Sequence, residues 1–438
     1  MKDTLVIHGG KKLKGTIIPQ GAKNEAFQIL AAVLLTSQDV SVKNIPNILD
    51  ITNLFKLFEL LGVEIKKIDD HDFIFNSAKV DPSKMESTEF KLLFSKLRGS
   101  LMIAGAMLAR FGVGYVPEPG GDRIGVRPVT VHTRGFIDLG GFVDETTGQI
   151  KLKEIVSKRI TLREASVTGT ANIVLASVLK KNKNNHRVEI YNAACEPYLQ
   201  QLVSMLNSMG ANIKGSGTNL LIIEGVDNLS GAEHAMAPDM IEVGSWICMA
   251  AVVGEGIIIK NVTKEILGEI TCYIFGKLGV TIEEKPEGLY IPKHDSIDIK
   301  RPTTTSKRIR TIYDDRWPGL SPDHLSSMIA MCTQANGMVT FRQRMFDRRL
   351  LFCDKLNDMG ADIIMSHHQE VTIVGNQRKG LVAAELSSPD IRAGMALVIA
   401  ALIADGESVI KNASQIHRGY ENVVERLQVL GAEIQYGD

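Results

Sequence analysis

Six short segments of this 438-residue chain carry the same signature. They read LGVEI (61–65), LGGFV (139–143), MGANI (209–213), LGVTI (278–282), MGADI (359–363) and LGAEI (430–434). Their spacing of roughly 70–80 residues marks one structural unit used six times. Before the first copy, Ile51, Leu54, Phe55, Phe58 and Leu61 recur at helical spacing and form one apolar face. Val423, Leu427 and Leu430 do the same before the last. The Gly of each signature ends its helix, because Gly takes the left-handed C-terminal conformation without penalty. The β-favouring residues after it begin a strand.

Each unit holds a second helix of another kind. The segments are AAVLLTS (31–37), RGSLMIAGAMLARFG (98–112), ASVTGTANIVLASVL (165–179), SWICMAAVV (245–253), SSMIAMC (326–332) and RAGMALVIAALIADG (392–406). They are apolar nearly all round and rich in Ala, Ser and Gly. Such helices belong inside, where small residues let neighbours approach closely. The unit is therefore strand, buried helix, strands, amphipathic helix, strand. Three units enclose three buried helices within sheets, and six make two α/β lobes. The length agrees, being suited to two domains of about 200 residues.

Bulk properties exclude several function classes. Fifty Lys and Arg balance fifty Asp and Glu, so no net charge steers the chain to nucleic acid. No run approaches the ~18 apolar residues that span a bilayer. The opening MKDTLVIHGG lacks a signal-peptide layout. The five cysteines (Cys195, Cys248, Cys272, Cys332, Cys353) are scattered, without metal-ligand spacing. The expectation is a cytoplasmic protein with reduced thiols and no membrane, metal or nucleic-acid partner.

Functional residues should be those that break the repeat. The first break is IIPQGAKNEAFQIL (17–30), where a strand leads through Gly21 to Lys23, Asn24 and a buried helix. A glycine turn, free N–H groups at a helix start and one Lys make a phosphate seat. The plain alternative is a Lys snorkelling at a helix start. The second break is VPEPGGDRIGVRPVTVH (116–132), a long insertion between the helices of the second unit. Gly120, Gly121 and Gly125 make its backbone flexible, Arg123 and Arg127 offer bidentate donors, and Asp122 sits at the tip. A loop of that make-up reads as a lid over an anion, against the alternative of an Asx turn. In WPGLSPDHLSS (317–327), Asp323 opens a buried helix as a functional carboxylate or as an N-cap. Arg98, Arg349, Arg392 and Arg418 stand before helices in some copies only, as an asymmetric anion site or as solvated charges. With Lys23 and Arg127 they form a candidate anion-binding set, with Asp122 and Asp323 as acid and base. That suits a small, highly charged substrate and acid–base chemistry without a metal.

These residues resemble the enolpyruvyl transferase family, and its UDP-N-acetylglucosamine branch in particular. The resemblance runs through KLKGTIIPQGAKNEA, RGSLMIAGAMLARFG, PGGDRIGVRP, ASVTGTANI, LSPD and HRGYENVVERLQVLGAEI, and so covers the whole chain. It implies two lobes, each an inside-out α/β barrel of three βαβαββ-type repeats, with substrate between them. The chain crosses twice, so one lobe is 21–236 and the other 1–20 plus 237–438. It implies transfer of the enolpyruvyl group of phosphoenolpyruvate to the 3-hydroxyl of UDP-N-acetylglucosamine, without cofactor, at the start of peptidoglycan precursor synthesis. Lys23, Asn24, Arg127, Arg392 and Arg418 would bind phosphoenolpyruvate. Arg98, Arg127, Pro128, Val129, Thr130, Val131, Ser166, Val167, Thr168, Asp323 and Met345 would bind the sugar nucleotide. Asp122, Asp323, Lys23 and Arg418 would be catalytic. The chain departs from the family pattern at Asp122, where most members carry a Cys that fosfomycin alkylates, at Thr130, and at MFDRR (345–349). Two other readings stand beside this one: the shikimate-pathway branch, whose usual GDKS-type opening is replaced here by GAKN, and a silent paralogue that only binds sugar nucleotide.

Overall fold

The computed structural model describes residues 3–117, 128–144, 146–180, 186–302 and 308–437. They form two compact units, one within 21–237 and the other made of the chain up to Gln20 together with everything from Pro238 onward. The architecture is mixed α/β with six small sheets, three in each unit.

In the unit within 21–237, helices Lys23–Ala32, Met102–Phe111 and Val167–Ser177 each pack against the other two. In the other unit, Met240–Val253, Leu325–Cys332 and Ile391–Ile403 do the same. Every residue of Met240–Val253 and of Ile391–Ile403 is buried. Gly105 shows how close the approach is: an added Cβ would lie 2.3 Å from the Asn172 carbonyl oxygen of the neighbouring helix. The first and fourth helices begin earlier than their apolar runs suggest, at Lys23 and Met240. Lys23, Asn24 and Glu25 hid the first start, and Glu242 and Gly244 interrupted the apolar run at the other.

Five sheets have four strands and share one plan: an outer parallel strand, then antiparallel neighbours. The sheet of Val113–Tyr115, Gln149–Lys151 and Phe142–Val143 has three among the described residues. In three sheets the parallel strand and its partner flank one buried helix, as in Arg159–Thr161, Val167–Ser177 and Arg187–Tyr191. Two strands are exchanged. Leu13–Ile17 precedes helix Lys23–Ala32 but pairs with Gly254–Lys260. Glu233–Ala235 precedes Met240–Val253 but pairs with Val40–Lys43. The strand Thr4–His8 lies between Glu407–Lys411 and Glu433–Tyr436 and is antiparallel to both.

Buried charge fastens each exchanged segment. Glu25, on the first helix, accepts the Ala237 amide and meets His234 Nε2 at 2.8 Å. In the other unit, the fully buried Glu242 carboxylate accepts the Gln20 amide at 2.8 Å and pairs with Arg426. Arg426 also reaches the Ile18 carbonyl at 2.6 Å, and the Gln20 side chain holds Gly419 and Glu421. Desolvation pushes the Glu242 carboxyl above its ordinary range, with Arg426 opposing. A charge this deep is tolerable because Arg426 and the Gln20 amide answer it, against the nearby Asp239 carboxylate.

All six signature glycines have left-handed backbones: Gly62, Gly140, Gly210, Gly279, Gly360 and Gly431, with φ from 86° to 109°. Their surroundings differ. An added Cβ would meet nothing within 4 Å at Gly360, but at Gly279 it would fall 2.6 Å from the Asp298 backbone nitrogen and oxygen. Gly360→Ala should therefore cost only the left-handed strain, about 1–2 kcal/mol. Gly279→Ala should cost clearly more, since backbone must also move. Urea unfolding of the two variants measures this, and equal losses would contradict the packing argument.

Candidate active site

The residues singled out by sequence fall on both units. In the unit within 21–237, Lys23 opens its helix with Ala22 as N-cap, and no side chain caps the first turn. Lys23 does not snorkel: it is 7% exposed, and its Nζ lies 2.7 Å from Asp50 Oδ2, itself 4% exposed. The ammonium is thus held by a carboxylate at the end of a glycine turn. Gly21 is needed there, since any Cβ would collide with the Asn44 carbonyl. Asn24 follows on the same turn, its carbonyl accepting from Gln28.

Of the segments expected to bind sugar nucleotide, those at 128–131 and 166–168 meet in this unit, while Asp323 and Met345 belong to the other. Helix Thr130–Leu139 begins after Val129 with no side-chain cap, and Pro128 and Thr130 are exposed. Helix Val167–Ser177 begins after Ser166, whose Oγ accepts the Gly169 amide at 3.2 Å. Val131 packs on Gly169, where an added Cβ would lie 2.5 Å from its methyl. The buried His132 joins both helix starts. Its Nδ1 accepts from Asn172 Nδ2 at 2.8 Å, so Nε2 carries the proton and donates to Thr168 Oγ1 at 3.2 Å. Burial, aided by the nearby Arg98 guanidinium, lowers its pKa to about 3, so the ring stays neutral. Asn172 also donates to the Leu101 carbonyl and accepts the Gly105 amide, just beyond Arg98. The sequence signal for His132 was only a polar residue on an apolar helix face. Asp122 and Arg127 lie outside the described residues.

In the other unit, Asp323 is the focus. It is not the N-cap: Ser321 fills that place, with Pro322 after it. Its carboxylate is shared instead by two arginines, Oδ1 lying 2.7 Å from Arg349 and Oδ2 3.3 Å from Arg392. Both guanidiniums are 4% exposed. Each keeps a buried N–H without a partner among the described residues, Nε of Arg349 and a terminal nitrogen of Arg392. Arg392 stands in the first turn of its helix, capped by Asp390, with its guanidinium 5.2 Å from the centre of the Tyr420 ring. Gly419 packs on Ile391, which brings the Arg418 segment to the same helix start. Arg418 itself donates to Gln415 at 2.9 Å. The Met345 amide donates to Asp314 at 3.2 Å, and its side chain is exposed.

The electrostatics follow from this packing. Desolvation pushes the Asp323 carboxyl up, but Arg349 and Arg392 more than offset it and hold it well below the usual range. Next to it, burial lowers His324 to about 4, and neither ring nitrogen has a partner. Two desolvated guanidiniums with spare donors have the chemistry to seat an anion, and the carboxylate they share has the chemistry to accept a proton. Metal-ligating clusters are absent among the described residues.

A carboxyl depressed by folding stabilises the protein above its unfolded pKa, and this is lost as pH falls through the folded value. Asp323→Asn, which leaves two buried cations facing each other, should cost about 3 kcal/mol at pH 7. The gap from the parent should be full above about pH 5 and shrink steadily below about pH 4. Urea midpoints across this range check it, and a gap independent of pH would count against the paired-charge account.

Comparison with known proteins bears on the family and the fold. The family model for EPSP synthase (3-phosphoshikimate 1-carboxyvinyltransferase) matches residues 7–427. The UDP-N-acetylglucosamine 1-carboxyvinyltransferase of Bacteroides thetaiotaomicron is 48% identical over 98% of this chain and 99% of its own. The protein of the same name from Porphyromonas gingivalis is 47% identical over 98% of both. Among solved structures, the enolpyruvyl transferase NikO from Streptomyces tendae superposes with a TM-score of 0.83, at 20% identity over 100% of this chain and 99% of the other. EPSP synthase from Acinetobacter baumannii gives 0.73, at 16% identity over 99% and 100%. These two establish likeness of fold. A match along nearly the full length, with relatives close to half identical, means that the chain belongs to the EPSP synthase family.

Proposed function

We propose that the chain transfers the enolpyruvyl group of phosphoenolpyruvate to the 3-hydroxyl of UDP-N-acetylglucosamine, releasing phosphate, as the first committed step of peptidoglycan precursor synthesis. The observation that carries this reading is the Asp323 carboxylate shared by two buried arginines with spare donors. Joining a hydroxyl to an anionic enol phosphate needs such a pairing of base and cationic seat. Curated relatives bearing that activity in their names match the chain end to end. The fold that goes with the reading is two lobes, each an inside-out α/β barrel of three repeats, in a cytoplasmic enzyme without cofactor.

In this scheme Lys23, Asn24, Arg127, Arg392 and Arg418 hold phosphoenolpyruvate, joined by Arg349. Arg98, Arg127, Pro128, Val129, Thr130, Val131, Ser166, Val167, Thr168 and the backbone at Met345 hold the sugar nucleotide. The neutral His132 fixes Thr168 without adding charge. Asp323 takes the proton of the 3-hydroxyl as its oxygen attacks C2 of phosphoenolpyruvate. Asp122 supplies a proton to C3. The adduct then loses phosphate from C2 and a proton from C3, which restores the double bond. One tension resolves itself here. A carboxylate held by two arginines is a weak base. Substrate anions that draw Arg349 and Arg392 toward themselves raise its pKa when a base is required. Asp122 needs the reverse of its ordinary state, because a free Asp of pKa ~3.9 is ionised at pH 7. Desolvation beside the substrate's negative charge favours the neutral acid that can donate.

The direct test is phosphate release from phosphoenolpyruvate. It should depend on UDP-N-acetylglucosamine and not occur with shikimate 3-phosphate, and Asp323→Asn should lower kcat by roughly 10²–10⁴-fold. Release with shikimate 3-phosphate alone would move the chain to the other branch, and no release with either acceptor would leave a binding protein. A second test uses Asp122→Cys. It should retain turnover and become open to inactivation by fosfomycin, to which the parent should be indifferent; loss of turnover in a normally folded variant would remove Asp122 from the acid role.

A further inference from the structure

Asp314 is fully buried, yet its carboxylate belongs to no ion pair among the described residues. Three donors fill it, all from one loop: the Gln343 side-chain amide, the Arg344 backbone N–H and, at 3.2 Å, the Met345 backbone N–H. The topology explains why the two segments meet. Strand Arg310–Tyr313 runs parallel to Met338–Arg342, with Tyr313 opposite Arg342. Asp314 is the residue after the first strand, and 343–345 follow the second. Both chains therefore leave the sheet at the same end. One continues to Asp323, the other to Arg349, and these two meet again at 2.7 Å. Arg349 also reaches the Pro322 carbonyl at 3.4 Å. The two segments thus form a closed loop, joined at one end by Asp314 and at the other by the Asp323–Arg349 pair. Side chains around the joint are fixed too. Gln343 is 1% exposed, and its backbone N–H donates to Gln369 at 2.8 Å.

We infer that Asp314 is a positioning residue of the reaction: it clamps the 343–345 backbone so that Arg349 is delivered to Asp323 and the phosphoenolpyruvate anion, while the Met345 backbone is held in place for the sugar nucleotide. An acceptor with two oxygens suits this task, since neighbouring N–H groups of one turn converge on it as on a helix-start anion site. Asparagine has the same shape but turns one oxygen into a donor, which would face one of those N–H groups. The inference rests on the proposed reaction for its consequence and on the hydrogen bonds for its cause.

The test compares full-length Asp314→Asn and Asp314→Ser with Arg344→Ala, whose exposed side chain takes no part in the clamp. Hydrogen exchange of the Arg344 and Met345 amides should quicken about tenfold or more in both Asp314 variants and stay unchanged in Arg344→Ala, with strand Glu370–Val374 unaffected in all three. Asp314→Asn should raise the KM for phosphoenolpyruvate about tenfold and lower kcat, yet add less than about twofold on top of Arg349→Lys, because both act through one group. Unchanged exchange, additive effects of the two substitutions, or a lower kcat with both KM values intact would each overturn the inference; the last would mean only that less protein is folded. If the parent releases no phosphate with UDP-N-acetylglucosamine, the functional reading falls by itself. Exchange and the same double-variant comparison, read on phosphoenolpyruvate binding by calorimetry, then still decide the clamp.

Discussion

A helix with no polar face has to be enclosed, and most of this structure follows from that requirement. Met240–Val253 and Ile391–Ile403 are buried along their whole length. Each bundles with a third helix of the same kind, Leu325–Cys332. Burying so many side chains supplies the main stabilising term, at about 25 cal/mol per Å² of apolar surface. It also dictates what lies outside. Sheets cover the bundle with one face, and the amphipathic helices add their apolar stripes, as Ile51, Leu54, Leu57, Phe58 and Leu61 do from Leu49–Leu61. The polar faces of those outer helices then meet water.

The same requirement determines where chemistry can occur. A fully enclosed helix exposes polar backbone only at its ends, where the first turn has N–H groups to spare. Lys23 and Arg392 each stand in the first turn of such a helix, and Asp323 stands in the short turn that leads into another. Charges at these points are largely desolvated, so each is strongly coupled to its neighbours. The Asp50 carboxylate on Lys23 and the Arg349 and Arg392 guanidiniums on Asp323 are that coupling made visible. On the proposed function, substrate anions would exchange places with partners that are already charged at little cost in reorganisation.

Much of this was legible in the sequence. The six glycines announced six helix ends, and all six adopt the left-handed conformation. The apolar runs announced the buried helices because periodicity is a local property. Partners distant in sequence were not legible. Nothing around Asp50 marks it as the counterion of Lys23, since it sits in the first turn of an amphipathic helix, where acidic residues are common. Asp323 was ambiguous because Ser321 and Asp323 are both good caps, and only the backbone decides between them. Arg349 was recognisable as unusual, but its pairing with Asp323 depends on two loops meeting at one end of a sheet. His132 and Asp314 read as ordinary polar residues, because a buried hydrogen-bond network leaves no periodic trace.

The exchanged strands have a consequence for how the protein is made. Strand Thr4–His8 finds its partners only in Glu407–Lys411 and Glu433–Tyr436. A ribosome adding 5–20 residues per second needs roughly 20–90 s to go from this strand to the last of these. For most of that interval Thr4–His8 has no sheet to join, whereas Leu13–Ile17 waits only for Gly254–Lys260 and the unit within 21–237 has its own described strands once Glu233–Ala235 has emerged. Birth order and final position are therefore opposed: a strand made long before both its partners is among the last to be placed. A nascent chain of this kind carries an unpaired β-segment through most of its synthesis, the form most open to wrong pairing between molecules. The polar, charged stretch His8–Lys14 between and beside those strands, with Lys11, Lys12 and Lys14, is placed where mutual repulsion would keep neighbouring nascent chains apart.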